Sequence, residues 1–158
     1  MTGPSHVHAL MRDIGPLLEL EQVSVFEGER EWALVADEAT IVHVDYVEAD
    51  DRLMLSIELG QPPEASRHRV YELLLLYNHA WPETGGVRMA LESPGGTIVQ
   101  LFETGVGDLD LTGLRNVVAG FVELARHWRG GIMRGVESEA ARGSTDLDRL
   151  MMLGAIRG

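Results

Sequence analysis

From Leu53 to Leu59 every second residue is a large aliphatic side chain, and this strict alternation most limits the folds open to the chain. Successive side chains of a β-strand point to opposite faces of a sheet, so the alternation predicts a strand with one apolar face. Residues 41–47 alternate in the same way, and 32–36 predict a third strand. Short turns separate the three, which favours an antiparallel meander, and 23–26 are a further strand candidate.

Three other segments have helical periodicity. Apolar residues recur at spacings of three and four in 5–18, 64–81 and 111–128, as on one face of an α-helix. Gly15-Pro16 is expected to kink or end the first helix, because proline disfavours helical backbone in the residue before it. Asp110 is positioned to act as the N-cap of the third helix.

Two more strands are predicted at 87–91 and 97–103, joined by the turn Pro94-Gly95-Gly96 as in a hairpin. The element order is therefore α-β-β-β-α-β-β-α. This order predicts an α+β sandwich with a twisted antiparallel sheet, formed by one domain over 1–130. Residues 131–158 are expected to be an extension that either is mobile or forms a short helix bearing Leu147, Leu150 and Met151, and that could fold onto a partner.

The middle helix carries more apolar surface than one sheet contact requires. Val70, Leu73, Leu74, Tyr77 and Trp81 form one stripe, and Tyr71, Leu75 and Leu76 widen it. A helix that is apolar on most sides is normally buried on most sides. A homodimer is the simplest way to cover the second face, because twofold dimers are the commonest oligomers. The alternative is that the C-terminal extension covers it.

The formal net charge of −12 excludes several partners. Nucleic-acid binding depends on neutralising phosphates with basic residues, and anionic membrane surfaces require the same. No apolar run is long enough to span a membrane, and the first residues lack the pattern of a secretory signal. We expect a cytoplasmic protein with no nucleic-acid partner and no membrane insertion.

No recognisable catalytic motif is present. The chain has no Cys and no Lys, which removes thiolate chemistry, Schiff bases and the phosphate-loop lysine. His43 and Asp45 share a strand face and could form half of an acid–base pair. His6 and His8 could bind a metal weakly, although such residues are usually solvated. We therefore predict no enzyme activity, no cofactor and no metal.

Several strands are apolar on both faces, and one face is then a candidate for an exposed binding patch. Trp32, Met54, Ile98 and Phe102 supply this surplus. Residues 19–51 contain eleven acidic residues against one arginine. This combination suits a groove for an extended peptide of basic character, lying on the face or added at a sheet edge.

Particular stretches, within this element order, resemble the class I type III secretion chaperones of the CesT-like kind. The stretches are Arg52-Leu-Met-Leu-Ser-Ile-Glu-Leu-Gly60, the leucine-rich helix ending near Asn78, Gly85-Gly-Val-Arg-Met-Ala-Leu-Glu92, Thr97-Ile-Val-Gln-Leu-Phe102 and Phe121-Val-Glu-Leu-Ala-Arg-His-Trp128. Small size and acidity fit as well. Gly15-Pro16 and the long extension depart from the family pattern.

The resemblance implies a cytoplasmic homodimer that binds the N-terminal segment of a secreted effector in extended form, without ATP. It implies dimer contacts from the middle helix and the following strand, at Tyr71, Leu75 and Met89. It implies client contacts from the first helix and the sheet, at Leu10, Trp32, Met54, Ile98 and Phe102.

Two other functions remain open from the residues alone. A small regulatory or sensory α+β domain that binds a metabolite or a folded protein would have a concave pocket in place of an extended groove. A hydrolase or metal enzyme would use His43 and Asp45.

Overall fold

The structure, a computed structural model, describes residues 3–26, 28 and 30–133. In chain order the elements are α1 (Pro4–Leu17), β1 (Gln22–Val25), β2 (Glu31–Asp37), β3 (Thr40–Val47), β4 (Arg52–Gly60), α2 (Arg67–His79), β5 (Arg88–Leu91), β6 (Ile98–Gly105) and α3 (Leu111–Met133). A 3₁₀ turn, Glu64–Ser66, precedes α2. The predicted short helix in the extension lies outside the described residues.

The strands form one antiparallel sheet in the order β1-β2-β3-β4-β6-β5. The predicted α+β fold is confirmed, and the strand candidate at 23–26 is β1. The meander therefore has four strands, to which the β5–β6 hairpin adds through β6. Gly95 has φ 69° in the hairpin turn, a conformation that glycine adopts without steric cost.

One face of the sheet, here called the inner face, forms the core together with the helices. It carries the alternating aliphatic residues of β4, which are at most 1% exposed. Their cross-strand neighbours are also on this face, since directly opposed residues share a side. Helices α1 and α3 pack here, and Tyr77 of α2 contacts the Trp128 ring edge-on at 5.2 Å between ring centroids.

Helix α1 lies close to β1. A Cβ added at Gly15 would lie 3.0 Å from Cγ2 of Val23, so glycine permits this approach. Pro16 occupies the last turn, and the helix ends at Leu17. The predicted end of the helix near Gly15-Pro16 is confirmed to within a turn.

Helix α3 begins with the expected cap. The Asp110 carboxylate accepts a hydrogen bond of 2.7 Å from the Gly113 N–H. The helix continues beyond its predicted end at residue 128, through the domain boundary expected at 130, to Met133. Near its end, the Arg129 guanidinium donates to the Thr40 hydroxyl and to the Glu58 carbonyl, so α3 finishes at the sheet end where β3 starts.

Helix α2 is shorter than predicted. The chain turns after His79, and Trp81, placed by the periodicity on the buried stripe, is 61% exposed in that turn. That expectation was wrong because the helical spacing was extended beyond the helix. No described helix is both long and apolar enough to cross a membrane.

Candidate protein-binding surfaces

The first candidate surface is a groove between α1 and β1, here called the β1 groove. It has a volume of about 210 Å³ and is lined by His8, Met11, Arg12, Val23, Val25 and Trp32. Trp32 is nearly fully buried in the floor, where its ring meets the His8 ring edge-on at 5.3 Å. Val25 and Phe26 extend the apolar surface outward and are 54% and 48% exposed.

The β1 groove borders an open sheet edge. β1 is the terminal strand of the sheet order, and in the described part of the chain no strand pairs with its outer side. The Phe26 N–H donates to the Glu31 carbonyl across to β2. Backbone groups alternate in direction along a strand, so the N–H of the preceding Val25 points to the open side. An extended peptide could pair there.

The opposite edge, at β5, is closed by side chains. The Asn78 amide bonds both the N–H and the C=O of Met89. The Thr84 hydroxyl donates to the Val87 carbonyl, and the Val87 N–H donates to the Thr84 carbonyl. A strand added at β5 would have to displace these bonds, so strand addition is favoured at β1.

A second apolar surface lies on α2 and beside it, here called the α2 surface. Its members are exposed by 40–69% and are Leu75, Leu76, Trp81 and Leu91. Of the predicted dimer residues, Leu75 lies here and Tyr71 is half-buried beside the core. Met89 is only 5% exposed, because its side chain is on the inner face. Met89 therefore offers little surface to a partner in this structure, and its contact in a dimer stays a prediction.

The predicted client residues do not form one surface, although Met54 and Phe102 both line a groove of about 80 Å³. Leu10 is buried against the core and Trp32 is the groove floor. Ile98 is fully buried, and Phe102 is half-buried with its ring centroid 6.4 Å from that of Phe121. The expectation that Ile98 and Phe102 lie on an exposed face was wrong, because their face of β6 is the one that α3 covers.

Met54 lies on the opposite side of the sheet, here called the outer face, and is 42% exposed. The three described helices pack in the core on the inner face, and Ile41, His43 and Glu58 on the outer face are also exposed. Val99 and Leu101 share it with Met54, since Ser56 opposes Leu101 and Glu58 opposes Val99. The sequence could not separate the two faces of β6, which are both apolar.

His43 and Asp45 also lie on the outer face, as their spacing predicts. Asp45 is directly opposite Glu31 on β2. Loss of solvent, and secondarily the negative charge of Glu31, raise the pKa of Asp45. His43 is exposed, and the sequence contains no recognisable motif that would supply a nucleophile to this pair. Among the described residues no three His, Cys, Asp or Glu side chains are grouped so as to hold a metal ion.

Val25 and Phe26 are exposed apolar residues that the sequence analysis did not assign to a surface. The available signal was a short apolar strand directly before the acidic stretch 27–31 of the sequence. Four grooves lined by described residues are open, with volumes between about 80 and 380 Å³. Open grooves suit an extended chain better than an enclosed metabolite.

The model of the Tir chaperone protein (CesT) family matches residues 19–129. Among solved structures, a chain of the ExsC-ExsE complex is similar, with TM-score 0.70, 18% identity and coverage of 84% of this chain and 98% of its own. A chain of the HopA1-SchA chaperone-effector complex has TM-score 0.66, 18% identity and coverage of 81% and 96%. A chain of the heterodimeric ExoU-SpcU complex from the type III secretion system of Pseudomonas aeruginosa has TM-score 0.52, 20% identity and coverage of 64% and 81%.

At these identities the three similarities establish a shared fold. No curated protein sequence matches this chain.

Proposed function

This chain belongs to the Tir chaperone protein (CesT) family, and we propose that it holds the N-terminal segment of a type III secreted effector in extended form without ATP. The family predicted from the sequence is confirmed, since the family match covers most of the chain. The similar HopA1-SchA structure is a complex of a chaperone with an effector, which supports an effector as the client class.

The main support for a client site at β1 is the open edge of this strand, which lies beside an apolar groove. Main-chain hydrogen bonds at such an edge bind an extended peptide with little regard to its sequence, and side-chain pockets then add selectivity. Val25 and Phe26 supply exposed apolar surface on this side. The groove floor, formed by Trp32 and Met11, would receive one apolar client side chain at a time.

The negative charge around β1 indicates which kind of client segment would bind there. Residues 19–51, which include β1 and β2, carry eleven acidic residues and one arginine. Within the described part of the chain, Arg30 pairs with Glu48 and Arg126 of α3 pairs with Asp37, and the other described carboxylates of this range have no ion-pair partner there. They can therefore attract a basic partner. We infer an apolar client segment flanked by Lys or Arg, which would associate faster at low salt.

The α2 surface supports a homodimer. Leaving Leu75, Leu76 and Trp81 in water forgoes roughly 1.5–3 kcal/mol for each large side chain. A second copy that packs α2 against α2 would bury these residues on both sides of a twofold axis. The protein then acts by binding alone, as a cytoplasmic chaperone with no catalytic step and no cofactor.

Capture from the native bacterium tests the client site. Full-length protein with an affinity tag is used as bait, and mass spectrometry identifies what is retained. We expect one dominant secreted protein, held through its N-terminal region. Val25→Asp should remove this client, because a buried carboxylate opposes docking in the β1 groove.

Met54→Asp is the matched variant, since it places the same charge at a similarly exposed strand position on the outer face. It should retain the client. Loss of capture in Met54→Asp with retention in Val25→Asp would move the client to the outer face. A folded partner recovered in place of the effector would favour the regulatory domain.

A further inference from the structure

The outer face of the sheet remains without a covering layer in the described chain. Ile41 and Met54 are 38% and 42% exposed, and Val99 and Leu101 are half-buried. Antiparallel sheets can keep one face in water, but such a face is normally polar. An apolar strip on this face therefore needs an occupant, and the proposal for the β1 groove does not supply one.

The position at which α3 ends indicates an occupant for the outer face. Arg129 contacts Thr40 and Glu58, and Met133 follows one helical turn later. Next to these contacts, a groove of about 260 Å³ opens onto the outer face, lined by Glu38, Ala39, Ile41, His43 and Glu58. The chain thus leaves α3 at the margin of the uncovered face.

The C-terminal segment has the length to reach it. Thirteen residues, 134–146, lie between Met133 and Leu147. Thirteen residues of polypeptide can span on the order of 20 Å, which exceeds the distance of about 10 Å across two neighbouring strand spacings. Beyond it, apolar residues are concentrated at Leu147, Leu150, Met151, Met152, Leu153 and Ile156.

Charge favours the outer face over the α2 surface and over the groove along α3. Glu38 and Glu58 have no ion-pair partner within the described part of the chain, and residues 147–157 hold Arg149 and Arg157 against Asp148. Helix α2 carries two arginines and one glutamate, so it does not attract a segment of net positive charge. In the groove along α3, Arg126 is already paired with Asp37.

We propose that residues 147–157 of the same chain pack across the outer face, with their apolar side chains on Ile41 and Leu101 and their arginines beside Glu38 and Glu58. The segment would give the sheet a second layer. It would also leave the β1 groove and the α2 surface free for other partners.

Cysteine crosslinking in the full-length protein tests this placement, because the chain has no cysteine of its own. Leu150→Cys is combined in turn with Ile41→Cys, with Leu75→Cys on α2, and with Ala119→Cys on α3. Tethering raises the local concentration of the segment, so disulfide formation reports which surface it occupies. We expect the pair with Ile41→Cys to crosslink severalfold more than the other two.

Mixing isotope-labelled and unlabelled chains before oxidation distinguishes links within a chain from links between chains. Links between chains at Ile41→Cys would overturn the proposal in favour of a second copy on this face. Preference for Leu75→Cys or Ala119→Cys, or no crosslink at any position, would overturn it as well.

A further substitution tests whether docking depends on the apolar residues of the segment. Met151→Asp in the Ile41→Cys, Leu150→Cys background should lower the crosslinked fraction severalfold, while Ser138→Asp, outside the segment, should not. Equal effects would contradict docking through the apolar residues. Far-ultraviolet circular dichroism confirms that each variant is folded.

Discussion

The side-chain amide of Asn78 satisfies both backbone groups of Met89: its Nδ2 donates to the carbonyl and its Oδ1 accepts from the N–H, each at 2.8 Å. A helix side chain thereby takes the place of a neighbouring strand at the β5 edge. Exposed edges promote association between sheets, and a capped edge avoids it. The two ends of the sheet are therefore unequal, and only the β1 end accepts a strand without breaking bonds.

Removing this amide should weaken the fold and open the β5 edge. Asn78→Ala leaves two part-buried backbone groups without partners, and we expect the free energy of unfolding to fall by about 1–3 kcal/mol. Urea denaturation measures the loss, and light scattering measures any added association. Asn116→Ala, at an exposed position of α3, is the matched control and should change neither by a comparable amount.

Blocking the β1 edge should abolish client binding without changing the exposed charge. Val25→Pro removes an N–H that points away from β2, a position where edge strands tolerate proline. We expect the variant to fold normally and to lose client affinity in a titration with the captured N-terminal segment. Unchanged affinity would mean that the client does not pair with β1.

The α2 surface predicts a dimer that a few charges can dissociate. Wild-type protein should have a mass near twice 17.4 kDa by light scattering at micromolar concentration. Leu75→Asp combined with Trp81→Asp should give the monomer mass, because two carboxylates would be buried unpaired at the interface. A monomeric wild type would contradict the homodimer.

Asp37 should lose a stabilising contribution in acid. The Arg126 hydrogen bonds are the main cause that lowers the pKa of Asp37 from 3.8 to about 2. The carboxylate therefore stabilises the fold above pH 3.8, and this contribution disappears as the pH falls towards 2. The pair is largely exposed, so Asp37→Asn should cost less than about 1 kcal/mol at pH 7 and nothing below pH 2. Denaturation at several pH values measures the difference.

Asp45 should behave in the opposite way. Because its pKa is raised in the folded protein, ionisation disfavours the fold as the pH rises above the usual value of 3.8. Asp45→Asn also removes the like charge opposite Glu31, and we expect a gain of about 0.2–1 kcal/mol at pH 7. The gain should vanish below pH 3.8. A destabilised Asp45→Asn protein at pH 7 would show that the carboxylate has an unrecognised favourable partner.

The sequence predicted the elements well where one face of a strand or helix was clearly apolar. Leu53 to Leu59 alternate with Met54, Ser56 and Glu58, and the structure buries the aliphatic set as predicted. The Asp110 cap was also predictable, since it rests on a local hydrogen bond.

The faces of β6 could not be assigned in the same way. Ile98 and Phe102 lie on either side of Gln100, a polar residue that indicates exposure, yet Gln100 is fully buried. Its Nε2 donates to the Phe121 carbonyl of α3, a contact formed only in the folded protein. The side of β6 that faces the core is therefore fixed by a contact with α3, which is distant in sequence. The alternation of residues along β6 alone does not indicate this contact.

The strand order also sets the footprint of a bound effector. β1 and β5 lie at opposite ends of six strands, about 24 Å apart at the usual strand spacing. In a dimer joined through α2, beside β5, the two β1 edges would be about 50 Å apart, and an extended polypeptide needs about 15 residues to cross that distance. Client length would then determine stoichiometry: one long segment could occupy both ends of the dimer, whereas short segments would bind two at a time.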